Sequence, residues 1–391
     1  MSGIYIHIPF CRQACSYCDF FFVTRDRLIP AFVDQLVDEI RHPTIPEFGP
    51  VSKNISENIS DYRFSAPVKT LYFGGGTPSR LEMPLFERIV DAVWSHFDMS
   101  GLQEFTVEVN PEDIGRNWLE KIRQMGVTRL SLGIQSFRPE LLEFMHRAHT
   151  SRQAHDALEM VAGTGFDSFS ADLIYGSPGQ TRRQLEEDLN QLLNYDPPHI
   201  SAYSLTIEPK TRLGKQYELG RLNPADGDDI HEQYLFITSA LEDRGIHRYE
   251  ISNFAKPWHR AVHNSSYWTH ENYIGLGPSA HSFFHPGGQG AAFRWQQPSN
   301  VHNWRQPSEC EELSGKRLAE ERIMIGLRTA DGVTLEELRN RYDYELTDTQ
   351  WQNVERFREE GLMQGTDVLR LTESGLSLAD SITVRLLSAQ G

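Results

Sequence analysis

The stretch YIHIPFCRQACSYCDF, residues 5–20, combines a short β-rich run with three of the four cysteines of the chain, spaced C-x-x-x-C-x-x-C at Cys11, Cys15 and Cys18. Thiolates are soft ligands that suit iron–sulfur clusters and zinc. A short loop can place three of them on three corners of a cubane cluster, leaving the fourth iron open to an outside ligand. Zinc sites favour paired C-x-x-C modules, and no second pair exists. A zinc site completed by His7 or Cys310, or plain thiols, are the alternatives at this point. The distant Cys310 reads as an ordinary thiol.

Outward from this loop, one pattern repeats through the first 210 residues: a β-rich run, a polar or Gly-rich turn, an amphipathic helix. Candidate strands lie at 4–8, 68–73, 105–109, 127–134, 168–175 and 199–207. After the first strand, Leu28, Ile29, Phe32, Val33, Leu36, Val37 and Ile40 form one helical stripe. Residues 43–67 are polar and read as a surface loop, in which the sequons at Asn54 and Asn58 carry no meaning for a chain without a secretion signal. Strands alternating with helices imply a parallel sheet, either an incomplete βα barrel or a doubly wound sheet. In both, ligands gather at the C-terminal ends of the strands.

The unusual residues fall at those ends: the cysteines, GGGTPS (74–79), EVNPE (108–112), GIQSF (133–137) and DLIYGSPGQT (172–181). The glycines allow close backbone approach to a ligand, or merely a tight turn. They do not match G-x-G-x-x-G, so the dinucleotide fingerprint is absent. Glu108, Gln135 and Asp172 either bind a ligand or cap the next helix. Further on, His259, His263, His270, His281 and His285 lie among aromatic residues. They read as a ligand site for iron or zinc, against the simpler reading of separate, satisfied histidines. The last 80 residues read as helices with a small strand pair, a winged-helix-like module. The chain thus divides into 1–235, a βα core; 236–310, a His- and aromatic-rich extension; and 311–391, a helical C-terminal part.

Composition limits the function classes. The 391 residues carry 54 acids against 38 bases, a net charge of −16. That excludes a general electrostatic grip on nucleic acid or anionic lipid. No apolar run reaches the length of a membrane span, and no signal peptide opens the chain. A cytoplasmic location is expected, where clustered cysteines bind metal rather than pair.

Together these residues resemble the radical S-adenosylmethionine superfamily. Within it the chain is similar to the branch of oxygen-independent coproporphyrinogen oxidases and the HemW heme chaperones. The segments that carry the likeness run in order along nearly the whole chain: YIHIPFCRQACSYCDF, GGGTPS, VEVNPE, SLGIQSF, DLIYGSPGQT, YSLTIEP, YEISNFAKP, HNSSYW and YIGLGPSAHSF. The resemblance implies a partial (β/α)6 TIM-like barrel with a small C-terminal helical domain. It implies a [4Fe–4S] cluster on Cys11, Cys15 and Cys18, with S-adenosylmethionine chelating the open iron. Tyr5, Gly75, Gly76, Thr77, Glu108, Gln135, Arg147 and Asp172 would contact that ligand. In the superfamily a reduced cluster donates an electron to the sulfonium, and a 5′-deoxyadenosyl radical forms.

Three details point to the chaperone side of the branch. Phe20 stands where the oxidases carry a further cysteine. Strand one begins at residue 4, so the oxidases' preceding segment is expected to be missing. HNSSYW (263–268) matches the chaperone signature H-N-x-x-Y-W, which implies heme binding with His263 as candidate axial ligand. The 43–67 stretch is longer than usual for the branch, and Ala261 and Val262 stand where some relatives have a cysteine. The expected function is a heme chaperone that hands heme to acceptor proteins. The alternatives are a radical enzyme that decarboxylates coproporphyrinogen, and a zinc-stabilised, non-catalytic binding module.

Overall fold

The computed structural model describes residues 3–46, 66–286, 290–307 and 309–388. Most of the expected 43–67 loop, with both sequons, lies outside these residues.

Six strands follow in series, the first five each followed by a helix. They are β1 (Gly3–Ile8) with α1 (Ile29–Arg41), β2 (Thr70–Gly75) with α2 (Met83–His96), and β3 (Glu104–Val109) with α3 (Arg116–Gln124). Then come β4 (Arg129–Gln135) with α4 (Pro139–Phe144) and α5 (Ser151–Thr164), β5 (Ser168–Tyr175) with α6 (Arg182–Leu193), and β6 (His199–Ser204). Each strand pairs in parallel with the next, in chain order. A doubly wound sheet would reverse its order at a switch point, so this winding is that of a barrel. The sheet stays open, because its terminal strands do not pair with each other.

Side chains alternate across these strands. Leu130, Leu132 and Ile134 of β4 face the helices, as do Phe169, Ala171 and Leu173 of β5, and all join the main core. The intervening positions carry Ser131, Gly133, Gln135, Ser170 and Asp172, which line the inside. Helix α1 buries Ile29, Phe32, Val33, Leu36, Val37 and Ile40, each worth about 2 kcal/mol. Helices α5 and α6 of the barrel begin with reciprocal capping boxes, Thr150 with Gln153 and Thr181 with Gln184. Strand β2 runs two residues past its expected end, because Gly74 and Gly75 still pair with His7 and Ile8.

Beyond the barrel come α7 (Arg212–Glu218), α8 (Gly227–Glu242), β7 (His247–Arg248), β8 (Asn253–Ala255) and α9 (Val262–Trp268). Four further strands extend the sheet from its first edge: β9 (Tyr273–Leu276), parallel to β1, then β10 (His281–Phe284), β11 (Ala292–Gln296) and β12 (Glu309–Leu313), antiparallel in turn. A buried carboxylate fastens this extension to the barrel. Glu39 of α1 accepts from Gly277 N at 2.9 Å, Gln297 Nε2 at 3.1 Å and Trp304 Nε1 at 2.6 Å.

The C-terminal residues form helices α10 (Gly315–Gly326), α11 (Leu335–Tyr342) and α12 (Asp348–Glu359), a three-stranded sheet, and a closing helix, Ala379–Leu387. Their core is a separate cluster centred on Ile323, Leu338, Val354 and Phe357. Where a strand pair was expected there are three strands, and the turn after Val368–Leu371 is a short helix capped by Thr372. Among the described residues no helix is long and apolar enough to cross a membrane.

Candidate functional site

At the C-terminal ends of β1–β6 lies a cavity of about 480 Å³, within the range of small-molecule sites. The cysteine loop forms one wall. Its backbone is clamped on several sides: Ser16 N donates to Met145 O at 3.0 Å, and Ser16 Oγ to Phe144 O at 2.9 Å. Leu213 N of α7 donates to Ser16 O at 2.9 Å, and Cys11 N to Val23 O at 3.0 Å. Asp113 ties the loop to the next strand end, pairing with Arg12 at 2.6 Å and Arg80 at 3.3 Å.

All three loop cysteines are free, half-buried thiols that line the cavity. Thr77 Oγ1 lies 3.6 Å from Cys11 Sγ, and Arg147 Nη1 lies 3.4 Å from Cys15 Sγ. Burial pushes the Cys11 thiol up to about 11 and the Cys18 thiol up to about 12. A metal bound here must displace those protons.

The glycines form the opposite wall. A Cβ on Gly75, at φ +103°, would lie 2.4 Å from the His7 ring, and one on Gly76 would lie 2.7 Å from Ile8 O. Gly75 N donates to Glu108 Oε2 at 3.0 Å and Gly76 N to Ile8 O at 2.9 Å. The Gly75 and Gly76 donors of this turn are therefore spent. Its carbonyls, each with two lone pairs, suit an ammonium group better than an anion.

Glu108 accepts a second bond from Tyr72 OH at 2.7 Å. Burial pushes its carboxyl up to about 7, with the charge of Asp172 adding to the effect and the Tyr72 and Gly75 donors opposing it. Asp172 is also pushed up by burial, against hydroxyl donors; Ser131 and Ser170 each lie 3.3 Å from it. Arg147 donates to Asn110 Oδ1 at 2.6 Å and Gly133 O at 2.8 Å.

Three buried polar atoms on the lining make no hydrogen bond: Gln135 Oε1, Arg147 Nε, and Glu112 Oε2, which faces His149 Nδ1 at 3.5 Å. Gln135 also holds a positive φ of 67°, at the register shift between β4 and β5. A left-handed non-glycine residue at a ligand rim is a strained arrangement of the kind found at binding sites. An amide acceptor and a guanidinium donor left open, beside buried acids and three thiols, suit a zwitterionic ligand with hydroxyl groups.

The structure therefore brings Cys11, Cys15, Cys18, Gly75, Gly76, Thr77, Glu108, Gln135, Arg147 and Asp172 to one cavity. Tyr5 and His263 are not on its lining. Tyr5 lies a layer below, its hydroxyl 3.0 Å from His7 Nδ1. His263 lies at the closed end of the barrel, 0% exposed, with Thr70 Oγ1 at 2.8 Å and Tyr267 OH at 2.7 Å from its two ring nitrogens.

The five histidines of the extension do not gather at one point, although His270 and His285 both pack on the Tyr342 ring, at 5.8 and 5.9 Å. His259 meets Ser168 Oγ at 3.1 Å, His270 meets Tyr342 OH at 3.0 Å, and His281 is exposed. Among the described residues no three His, Cys, Asp or Glu side chains are grouped to hold a metal ion. Asn110, Ser131, Ser170 and Tyr203 belong to the site and were not singled out from the sequence. Their signal was present: polar residues at every second position of apolar strands.

Residues 5–192 match the Radical SAM superfamily, and residues 313–378 match the HemN C-terminal domain. The chain is 31% identical to the heme chaperone HemW of Bacillus subtilis over 98% of this chain and 98% of that protein. It is 30% identical to the heme chaperone HemW of Lactococcus lactis over 99% of this chain and 97% of that protein. Its fold is similar to that of coproporphyrinogen III oxidase (HemN) from Escherichia coli, with a TM-score of 0.81 at 19% identity, covering 98% of this chain and 89% of that one.

Proposed function

This chain belongs to the HemW group of the radical SAM superfamily, and we propose that it is a heme-binding chaperone that carries a [4Fe–4S] cluster and S-adenosylmethionine and hands heme to acceptor proteins. The observation that carries the reading is the gathering of three free thiols, a glycine turn, two buried acids and the unpartnered Gln135 Oε1 and Arg147 Nε on one cavity.

Cys11, Cys15 and Cys18 would hold the cluster, which supplies an electron to a bound sulfonium. The glycine carbonyls would accept from the methionine amino group, and Arg147 Nε would meet its carboxylate. Glu108, Gln135 and Asp172 would accept from the ribose hydroxyls. Structural zinc sites favour paired C-x-x-C modules, and the sequence has no second pair.

Phe20 supports the chaperone reading over an oxidase. It lies at the cavity, 67% exposed, and offers a flat apolar surface to a macrocycle. His263 reaches a heme iron only by giving up Thr70 and Tyr267. Separate assays with heme and with coproporphyrinogen III on the anaerobically reconstituted chain test the reading. Heme uptake without porphyrinogen turnover is expected. Robust decarboxylation would replace the chaperone with the oxidase.

A further inference from the structure

We propose that His263, the first residue of HNSSYW, is a positioning residue for the ligand cavity: from the closed end of the barrel it holds Tyr72, and through Tyr72 and Glu108 it sets the amide of Gly75. This rests on the reading that the cavity takes S-adenosylmethionine.

Every link is a direct contact. Helix α9 is docked on the foot of β3, where Glu104 accepts from Val262 N at 2.8 Å and His263 N at 2.9 Å. That bond pair fixes the start of the helix and aims the imidazole up the barrel. The ring is held at both nitrogens, 2.8 Å from Thr70 Oγ1 and 2.7 Å from Tyr267 OH. Held this way, it stacks on Tyr72 with centroids 4.9 Å apart and planes at 27°. One layer higher, Tyr72 OH donates to Glu108 Oε1 at 2.7 Å, and Glu108 Oε2 accepts from Gly75 N at 3.0 Å.

The chain of contacts is tight at each layer. A Cβ on Gly3 would lie 2.9 Å from Thr70 Oγ1 and 3.2 Å from the His263 ring. A Cβ on Gly74 would lie 2.7 Å from the Tyr72 ring and 2.8 Å from Glu108 Oε1. With so little free space, the Tyr72 ring has one seat, and its hydroxyl has one place to point. Removing the imidazole opens a void beneath that ring. A displacement of about 1 Å at a positioned group costs on the order of 100-fold in function. The neutral imidazole, fully buried and partnered at both nitrogens, serves this role without needing iron.

The test uses the full chain after anaerobic reconstitution, with S-adenosylmethionine affinity read from the cluster's electron paramagnetic resonance signal. His263→Ala and Tyr72→Phe are each expected to weaken that affinity by roughly tenfold, about 1.4 kcal/mol. Iron and sulfide content and heme affinity should stay unchanged. The double variant should be no worse than the weaker single one, because both cut one chain of contacts. His263→Phe, which restores a stacked ring, should recover most of the affinity.

Additive losses, or unchanged affinity in both single variants, would overturn the proposal. So would loss of heme binding in His263→Ala with the nucleotide affinity intact, which would make His263 a heme ligand. If His263→Ala does not fold, Tyr72→Phe and His263→Phe decide, since both keep the barrel filled. A native chain that binds no S-adenosylmethionine would instead defeat the reading of the cavity itself.

Discussion

Replacing Glu39 by Gln should flatten the dependence of folding stability on pH. The carboxylate is buried between α1 and the extension, and burial pushes it up to about 7, against the pull of Trp304, Gly277 and Arg305. In the unfolded chain it titrates near 4.3. The folded state therefore holds its proton over a window where the unfolded state has lost it. The associated stability is fully present below about pH 4 and is lost as pH rises through about 7. At 1.36 kcal/mol per pH unit, the full loss is about 4 kcal/mol, of which about 3 kcal/mol falls between pH 5 and pH 8.

The Gln variant fits the same space. Its amide oxygen can take the place of Oε2 and accept from Trp304 and Gly277. Its NH₂ then faces Gln297, whose Oε1 has no partner and can receive it after an amide flip. Urea unfolding of both proteins at pH 5 and pH 8 checks this. The native chain should lose about 3 kcal/mol more than the variant between the two. Parallel pH profiles, or a variant destabilised at pH 8, would show that the three donors keep Glu39 ionised and would refute the reasoning.

Gly75→Ala should abolish S-adenosylmethionine binding while leaving iron uptake in place, because its Cβ would collide with His7 at 2.4 Å and the φ>0 backbone adds about 1–2 kcal/mol of strain; nucleotide titration of the reconstituted chain reads this. Cys15→Ala should remove the visible iron–sulfur absorbance, since two thiols cannot hold the cluster. Phe357→Ala should cost about 3–5 kcal/mol of C-terminal stability, by the void it leaves in a fully buried position, with cluster assembly unaffected; denaturant unfolding and iron content together check it.

The six-unit barrel was legible because each strand is a short apolar run followed by an amphipathic stripe such as Phe32, Val33, Leu36 and Ile40. The rim was legible because its glycines, acids and cysteines sit at strand ends. Strand β9 was not, since Tyr273–Leu276 is four residues long and pairs with β1 across some 270 positions of chain. Helices α7 and α9, seven residues each, are too short to show a period. Glu39 was invisible as a clasp because a lone acid on an apolar stripe names no partner.

The polar interior needed register. Only pairing reveals that Glu108 stands beside Ser131, Ser131 beside Ser170, and Asp172 beside Ser201. The five histidines show the opposite case. They are close in sequence, but the α9 helix and the β9–β10 hairpin spread them: His259 to the foot of β5, His263 into the barrel, and only His270 and His285 together, against Tyr342.

The most direct test of the account is the iron and sulfide content of the chain after oxygen-free reconstitution, read with its electron paramagnetic resonance spectrum before and after S-adenosylmethionine. The account predicts about four iron and about four sulfide per chain, and a spectrum that changes when the nucleotide binds the open iron. Zinc at about one per chain without sulfide, or a spectrum indifferent to the nucleotide, would contradict it.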